Sequence, residues 1–110
     1  MSRLVTAETM IAHYNAQNAG AYVALMAEDG CEARYRGDVL HEGREGIRAG
    51  LTAMFAQYPE NRAEIISGHA LGDHVVLHER VYRSAQSEPF EVMSIYSFDG
   101  DLVSRVEFVR

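Results

Sequence analysis

At 110 residues the chain has room for one domain around one modest core, burying about 60 to 70 per cent of the surface that its unfolded form would expose. Its 47% hydrophobic and 24% charged residues are ordinary for a globular protein, and no apolar run approaches the roughly 20 residues needed to cross a bilayer, so no membrane partner is expected. The ten basic residues are all arginine and stand against sixteen acids, a net charge of -6 with no clustered basic stripe, which sets nucleic-acid binding aside.

The opening MSRLVTAETM has neither the long apolar stretch nor the small-residue cleavage site of a secretory signal, so a soluble, cytoplasmic protein is the default expectation. Thr6 reads as the N-cap of a first helix running to about Ala16, with Val5 and Met10 as its hydrophobic staple and Met10, Ile11 and Tyr14 on one face. Asn18 can cap a second, shorter helix holding Tyr22, Leu25 and Met26, after which Glu28 and Asp29 hand the chain to a strand. The stretch CEARYRGDVLHEG reads as two short strands around Gly37 and Asp38. A third helix follows over GREGIRAGLTAMFAQYP, its stripe formed by Ile47, Leu51, Met54, Phe55 and Tyr58, and Pro59 ends it.

Beyond Pro59 three turn signals, Gly72-Asp73, the polar run from Ser84 to Pro89 and Asp99-Gly100, cut the chain into four strands of an antiparallel meander. Helices early and strands late indicate a single α+β domain over residues 1–110, the helices packed on one face of a curved sheet. Cys31 is the only cysteine, so no internal disulfide can form, and a buried inert thiol is the expectation for it.

The segment YNAQNAGAYVALMAED, the opening HEGREGIR of the third helix, the strand GDHVVLHERV and the ending IYSFDGDLVSRVEF occur in the order and spacing of the nuclear transport factor 2-like superfamily, which includes ketosteroid isomerases and SnoaL-like polyketide cyclases, and nearly the whole chain resembles it. The resemblance implies a cone-shaped, strongly curved mixed or antiparallel sheet of about six strands on three helices, a cystatin-like roll with a deep pocket, often in a homodimer. It also places the family's catalytic tyrosine at Met10, its proton-shuttling aspartate at Arg34 and its protonated oxyanion-hole acid at Ser94, so none of the three is retained. Tyr14, one helical turn on from Met10, can still face the pocket. A standard ketosteroid isomerase is therefore rejected.

Period-two alternation puts Val76, His78, Arg80 and Tyr82 on one face of a strand and Val75, Leu77, Glu79 and Val81 on the other. Apolarity favours the second set as core, whereas the resemblance turns the first set inward; the resemblance is followed, because it implies an outer face buried in a dimer. By the same argument Arg105, Glu107 and Val109 point inward from the last strand, Val92, Ser94 and Tyr96 from the fifth, and Glu32, Arg34 and Arg36 from the first. The expected site is a polar cavity with His78 as general acid or base tuned by Glu107, and with Met10, Tyr14, Arg34, Arg80, Tyr82, Ser94, Tyr96 and Arg105 lining it to hold a small apolar, carbonyl-containing or anionic molecule. The alternative makes Arg34, Arg80, Arg105 and Glu107 structural ion pairs and His78 a hydrogen-bonded spacer.

Leu71 opposite His74 and His69 opposite Val76 would place His69, His74 and His78 on one sheet face, yet diagonal spacings of roughly 7 to 8 Å do not suit a shared zinc, and no metal is expected. His41 and Glu42 read as a solvated or capping pair, and Tyr22, Phe55 and Tyr58 as core. Two classes stay open: an isomerase, cyclase or hydratase working without metal or organic cofactor, and a non-catalytic ligand-binding or protein-interaction dimer on the same scaffold. The dimer is expected through Leu77, Val81, Ile95, Val106 and Phe108, an apolar patch if left exposed.

Overall fold

The computed structural model describes residues 1–110. Helix α1 (Arg3–Asn15) starts earlier than the sequence suggests, because Ser2 rather than Thr6 caps it: the Ser2 side chain accepts from the Val5 N–H at 3.1 Å. Thr6 lies one turn inside and is buried, its hydroxyl donating back to the Ser2 carbonyl at 3.1 Å. The short α2 (Ala19–Ala24) is capped by Asn18, whose side chain accepts from the Ala21 N–H at 3.0 Å. Strand β1 (Met26–Arg34) begins directly afterwards, ahead of the expected start near Cys31. Then come β2 (Val39–Glu42), α3 (Gly43–Gln57) and the four strands β3 (Arg62–Leu71), β4 (His74–Tyr82), β5 (Phe90–Asp99) and β6 (Leu102–Val109).

The six strands form one sheet in the order β2-β1-β6-β5-β4-β3. All neighbours are antiparallel except β1 and β6, which run parallel, so the sheet is mixed and open, with the helices on one side. The meander turns are tight: Leu71 pairs with His74 and Asp99 with Leu102, and Gly72 and Gly100 take positive φ (59° and 62°), which two-residue hairpin turns require and a side chain would resist. No helix is long and apolar enough to cross a membrane.

The core lies between the helices and the inner sheet face. Ala7, Met10 and Ile11 of α1 and Ile47, Leu51 and Phe55 of α3 pack on Val75, Leu77, Val92, Val103 and Val106. Burying one such large side chain stabilises by about 1.5 to 3 kcal/mol, so the apolar set of β4 goes inward and the polar set outward. This corrects the expectation for that strand: Val75, Leu77, Glu79 and Val81 face the helices, and His78, Arg80 and Tyr82 face away. In β6 the register slips beside Ser104, so that Val103 and Val106 are both buried. Beyond the slip Phe108 packs on the core, and Arg105 and Glu107 lie on the outer side, again the reverse of expectation.

The outward charges find partners on neighbouring strands or along their own. His78 Nε2 lies 2.5 Å from Glu91 Oε1, Arg80 lies 3.3 Å from Glu64, and Arg105 lies 3.6 Å from Glu107. The Arg62 guanidinium stacks 4.0 Å above the Tyr82 ring. Such exposed pairs contribute between about 0 and 1 kcal/mol each.

Candidate functional site

Between the helices and the inner sheet face lies a cavity of about 630 Å³. Tyr14 of α1, Tyr22 of α2, Glu32 of β1, Glu79 of β4 and Ser94 and Tyr96 of β5 turn polar atoms into an otherwise apolar wall of Ile11, Leu51, Val81, Val92 and Phe108. Arg34, Tyr35, Leu40, His41, Phe90, Arg83 and Arg110 complete the lining and are more exposed. The floor thus carries two carboxyl groups and the rim three arginines.

Glu79 is 4% exposed, and its Oε2 has no hydrogen-bond partner. Loss of water pushes its pKa up to about 7, against the opposing effects of the Ser94 hydroxyl and His78. Glu32, also buried, is fully engaged: Oε2 accepts from the Tyr22 hydroxyl at 2.8 Å, and Oε1 faces His41 Nδ1 at 3.5 Å. That last distance is long for a hydrogen bond, and Nδ1 has no other partner. As acceptor and as negative charge, Glu32 raises the His41 pKa, with partial burial acting the other way. The ring lies against α3 where Gly50 leaves room; a Cβ there would come within 2.7 Å of His41 Cε1.

Tyr14 stacks edge-on against Phe55 at 5.7 Å, and its oxygen accepts from Asn61 Nδ2 at 2.7 Å. Asn61 Oδ1 in turn accepts from Arg83 Nη1 at 2.8 Å. The hydroxyl proton of Tyr14 is therefore uncommitted. Burial raises the pKa of Tyr14, against the Asn61 bond and the Arg83 charge, and raises those of Tyr22 and Tyr96 well above the ordinary range, so all three remain neutral donors at pH 7.

Of the residues singled out from the sequence, Tyr14, Arg34, Ser94 and Tyr96 line the cavity. Met10 is fully buried in the core and does not line it. His78, Arg80, Tyr82, Arg105 and Glu107 lie on the outer face, so the arginine- and histidine-rich interior does not form. Arg36, in the β1–β2 turn, also lies outside. The reading missed Tyr22, His41, Glu79, Arg83 and Arg110. The signal available for Glu79 was a lone carboxylate among Val75, Leu77 and Val81, where an unpaired charge is expensive. His69, His74 and His78 share the outer face, and no group of three or more His, Cys, Asp or Glu side chains gathers in metal-binding geometry.

Three helices on an open, mixed six-stranded sheet with a ligand-sized cavity between them define the nuclear transport factor 2-like superfamily, which includes ketosteroid isomerase-like folds. Residues 7–106 match the SnoaL-like domain family, and the chain belongs to it. It is similar to a cystatin-fold protein from Novosphingobium aromaticivorans at 52% identity and a TM-score of 0.95, over 100% of this chain and 99% of the other. A protein from Sphaerobacter thermophilus shares 26% identity at a TM-score of 0.77, over 94% and 91% of the two chains. A protein from Catenulispora acidiphila with a ketosteroid isomerase-like fold, solved with trimethylamine, superposes with a TM-score of 0.80 at 20% identity, over 96% and 84%, a likeness of fold alone. No curated protein matches the chain.

Proposed function

We propose that the cavity takes up a small carbonyl compound and moves a proton on it, in the manner of an isomerase, cyclase or hydratase that needs no cofactor, with Glu79 as the base. Membership of the SnoaL-like family supports a ligand-binding or cyclase-type role in general. The observation that carries the rest is Glu79: a carboxyl in the cavity wall with a free oxygen and a pKa of about 7, where a base is half ionised at neutral pH yet basic enough to accept a proton from carbon.

In the step envisaged, the Glu79 carboxylate takes a proton from the carbon next to the substrate carbonyl. The C–H electron pair moves into the carbonyl, and the resulting enolate oxygen accepts a hydrogen bond from Tyr14, whose hydroxyl is oriented by Asn61. Protonated Glu79 then returns its proton to another carbon, which gives an isomer, or the enolate carbon attacks a second carbonyl in the same molecule and the alkoxide so formed takes the proton back from Glu79, which gives a ring. Both outcomes balance without an added oxidant or metal.

Purified protein would be offered small enones, 1,3-dicarbonyls and epoxides, with solvent deuterium incorporation at carbon as readout. Glu79→Gln is expected to lower the rate by about 100-fold or more, whereas Glu107→Gln, on the outer face, leaves it unchanged. Unchanged exchange in Glu79→Gln ends the proposal and favours the non-catalytic binding role. That alternative draws on Glu32, whose two oxygens are already directed at Tyr22 and His41 as in a structural contact.

A homodimer through the outer face is retained on altered grounds. Leu77, Val81, Val106 and Phe108 pack on the helix side, and what remains outside is the exposed Met93 with half-buried Val76 and Ile95, flanked by His78, Arg80 and Glu91. Sedimentation at micromolar concentration as a dimer, lost in Met93→Glu, supports it; a monomer ends it.

A further inference from the structure

Arginine side chains in this protein mostly have partners. Arg80 and Arg105 pair with acids, Arg3 and Arg44 donate to backbone carbonyls, and Arg62 stacks on Tyr82. At the cavity rim three of them gather, Arg34, Arg83 and Arg110, and none of the three is paired with an acid, in a chain with sixteen acidic residues against ten basic ones. Two of these guanidinium groups crowd one ring, with Arg83 Cζ at 5.1 Å and Arg110 Cζ at 4.0 Å from the centre of Phe90. Like charges gathered on one aromatic ring repel, and an anion between or beside them offsets that repulsion. Arg83 uses Nη1 on Asn61 and Met54, which leaves its Nε and Nη2 donors uncommitted. Deeper in, the Glu32 and Glu79 carboxyl groups repel an anion.

We infer that the natural ligand is an amphiphilic carboxylate, its anionic head held at the rim by Arg83 and Arg110 and its apolar, carbonyl-bearing body directed at the acidic floor. The guanidinium fork fits a carboxylate through two parallel N–H···O bonds, and a positive rim over a negative floor fixes which end enters first. The identity of the reacting end rests on the proton-transfer role of Glu79; the anionic head does not.

The test is calorimetric titration with 2-naphthoate, its uncharged analogue 2-naphthamide and 2-naphthyl phosphate at low salt. The carboxylate is expected to bind about tenfold or more tighter than the amide, the difference that one charge-assisted hydrogen-bond pair produces. Arg110→Gln and Arg83→Gln should each shrink that ratio several-fold without weakening the amide. Arg110 is exposed and outside the core, so its variant reports even if loss of the Arg83–Asn61 contact unfolds the other. Equal binding of acid and amide, or binding of neither in the millimolar range, overturns the inference, and tighter binding of the phosphate overturns the choice of carboxylate. Glu79→Gln should preserve the ratio; a preserved ratio together with undiminished proton exchange in that variant removes the catalytic reading and leaves the anion site standing.

Discussion

A carboxyl group taken out of water without a partner is easier to protonate than to ionise, and Glu79 is in that position. Its pKa of about 7 in the folded protein, against 4.5 for a free glutamate, implies a stability that depends on pH. Below about 4.5 both folded and unfolded chains carry the proton and the group costs nothing. As pH rises from 4.5 to 7 the unfolded chain releases its proton first, so stability falls through that window and levels off above it, by about 3 kcal/mol in all. Glu79→Gln should therefore be more stable than the parent protein at pH 8 and nearly equal to it at pH 4.5, as read by urea denaturation at the two pH values. A gain independent of pH would show that the carboxyl is not held in its neutral form. Glu79 was open to sequence reasoning as a lone acid within VVLHERV, but His78, Arg80 and Glu107 offered a more familiar set of chemical groups. What separates them is burial, which depends on the strand's partners across the sheet.

At the level of elements, the decisive choice was which face of β4 turns inward, and the apolar criterion was the sound one. Three large aliphatic side chains, Val75, Leu77 and Val81, outweigh one buried glutamate, because each contributes about 1.5 to 3 kcal/mol on burial. The number and order of the helices, the turns at Gly72 and Gly100 and the four-strand meander were readable, since each depends on local spacing and turn chemistry. The start of α1 was misplaced because Ser2 and Thr6 are both capable caps, and only the Ser2–Val5 bond distinguishes them. The early start of α1 places Arg3 over both hairpin turns: Nη1 donates to the Gly72 carbonyl at 2.9 Å and Nη2 to the Gly100 carbonyl at 3.0 Å, with the guanidinium 5.5 Å from the Phe98 ring centre. Arg3→Ala should cost about 1 to 2 kcal/mol in denaturant unfolding, and Arg3→Lys should recover under half of that, because an ammonium cannot reproduce the planar fork. Full recovery by lysine would reduce the contact to a simple charge effect.

For the whole molecule, the sequence order of the elements identified the superfamily, while the slip in β6 and the chain's return beside β1 lay beyond local patterns. The slip near Ser104 reverses the facing of Arg105, Val106, Glu107 and Phe108 together. One displaced residue therefore determines whether the cavity is lined by charge or by an aromatic wall.

The parallel pairing of β1 with β6 has a consequence in time. Every other contact between strands joins neighbours in the chain, whereas Arg105 must find Cys31 across 74 residues. Loop-closure entropy delays such a contact, so the meander is expected to assemble first and the β1–β6 seam to close last. Ala33→Gly in the seam should chiefly accelerate unfolding, while Gly72→Val in a hairpin turn should slow refolding, both measurable in stopped-flow chevrons. Glu32 comes from β1 and Glu79 from β4, on either side of that seam, so a partly folded chain with its meander complete holds Glu79 but has no enclosed chamber. Ligand capture would then report the final folding event, and a bound fluorophore should appear only in the slowest refolding phase.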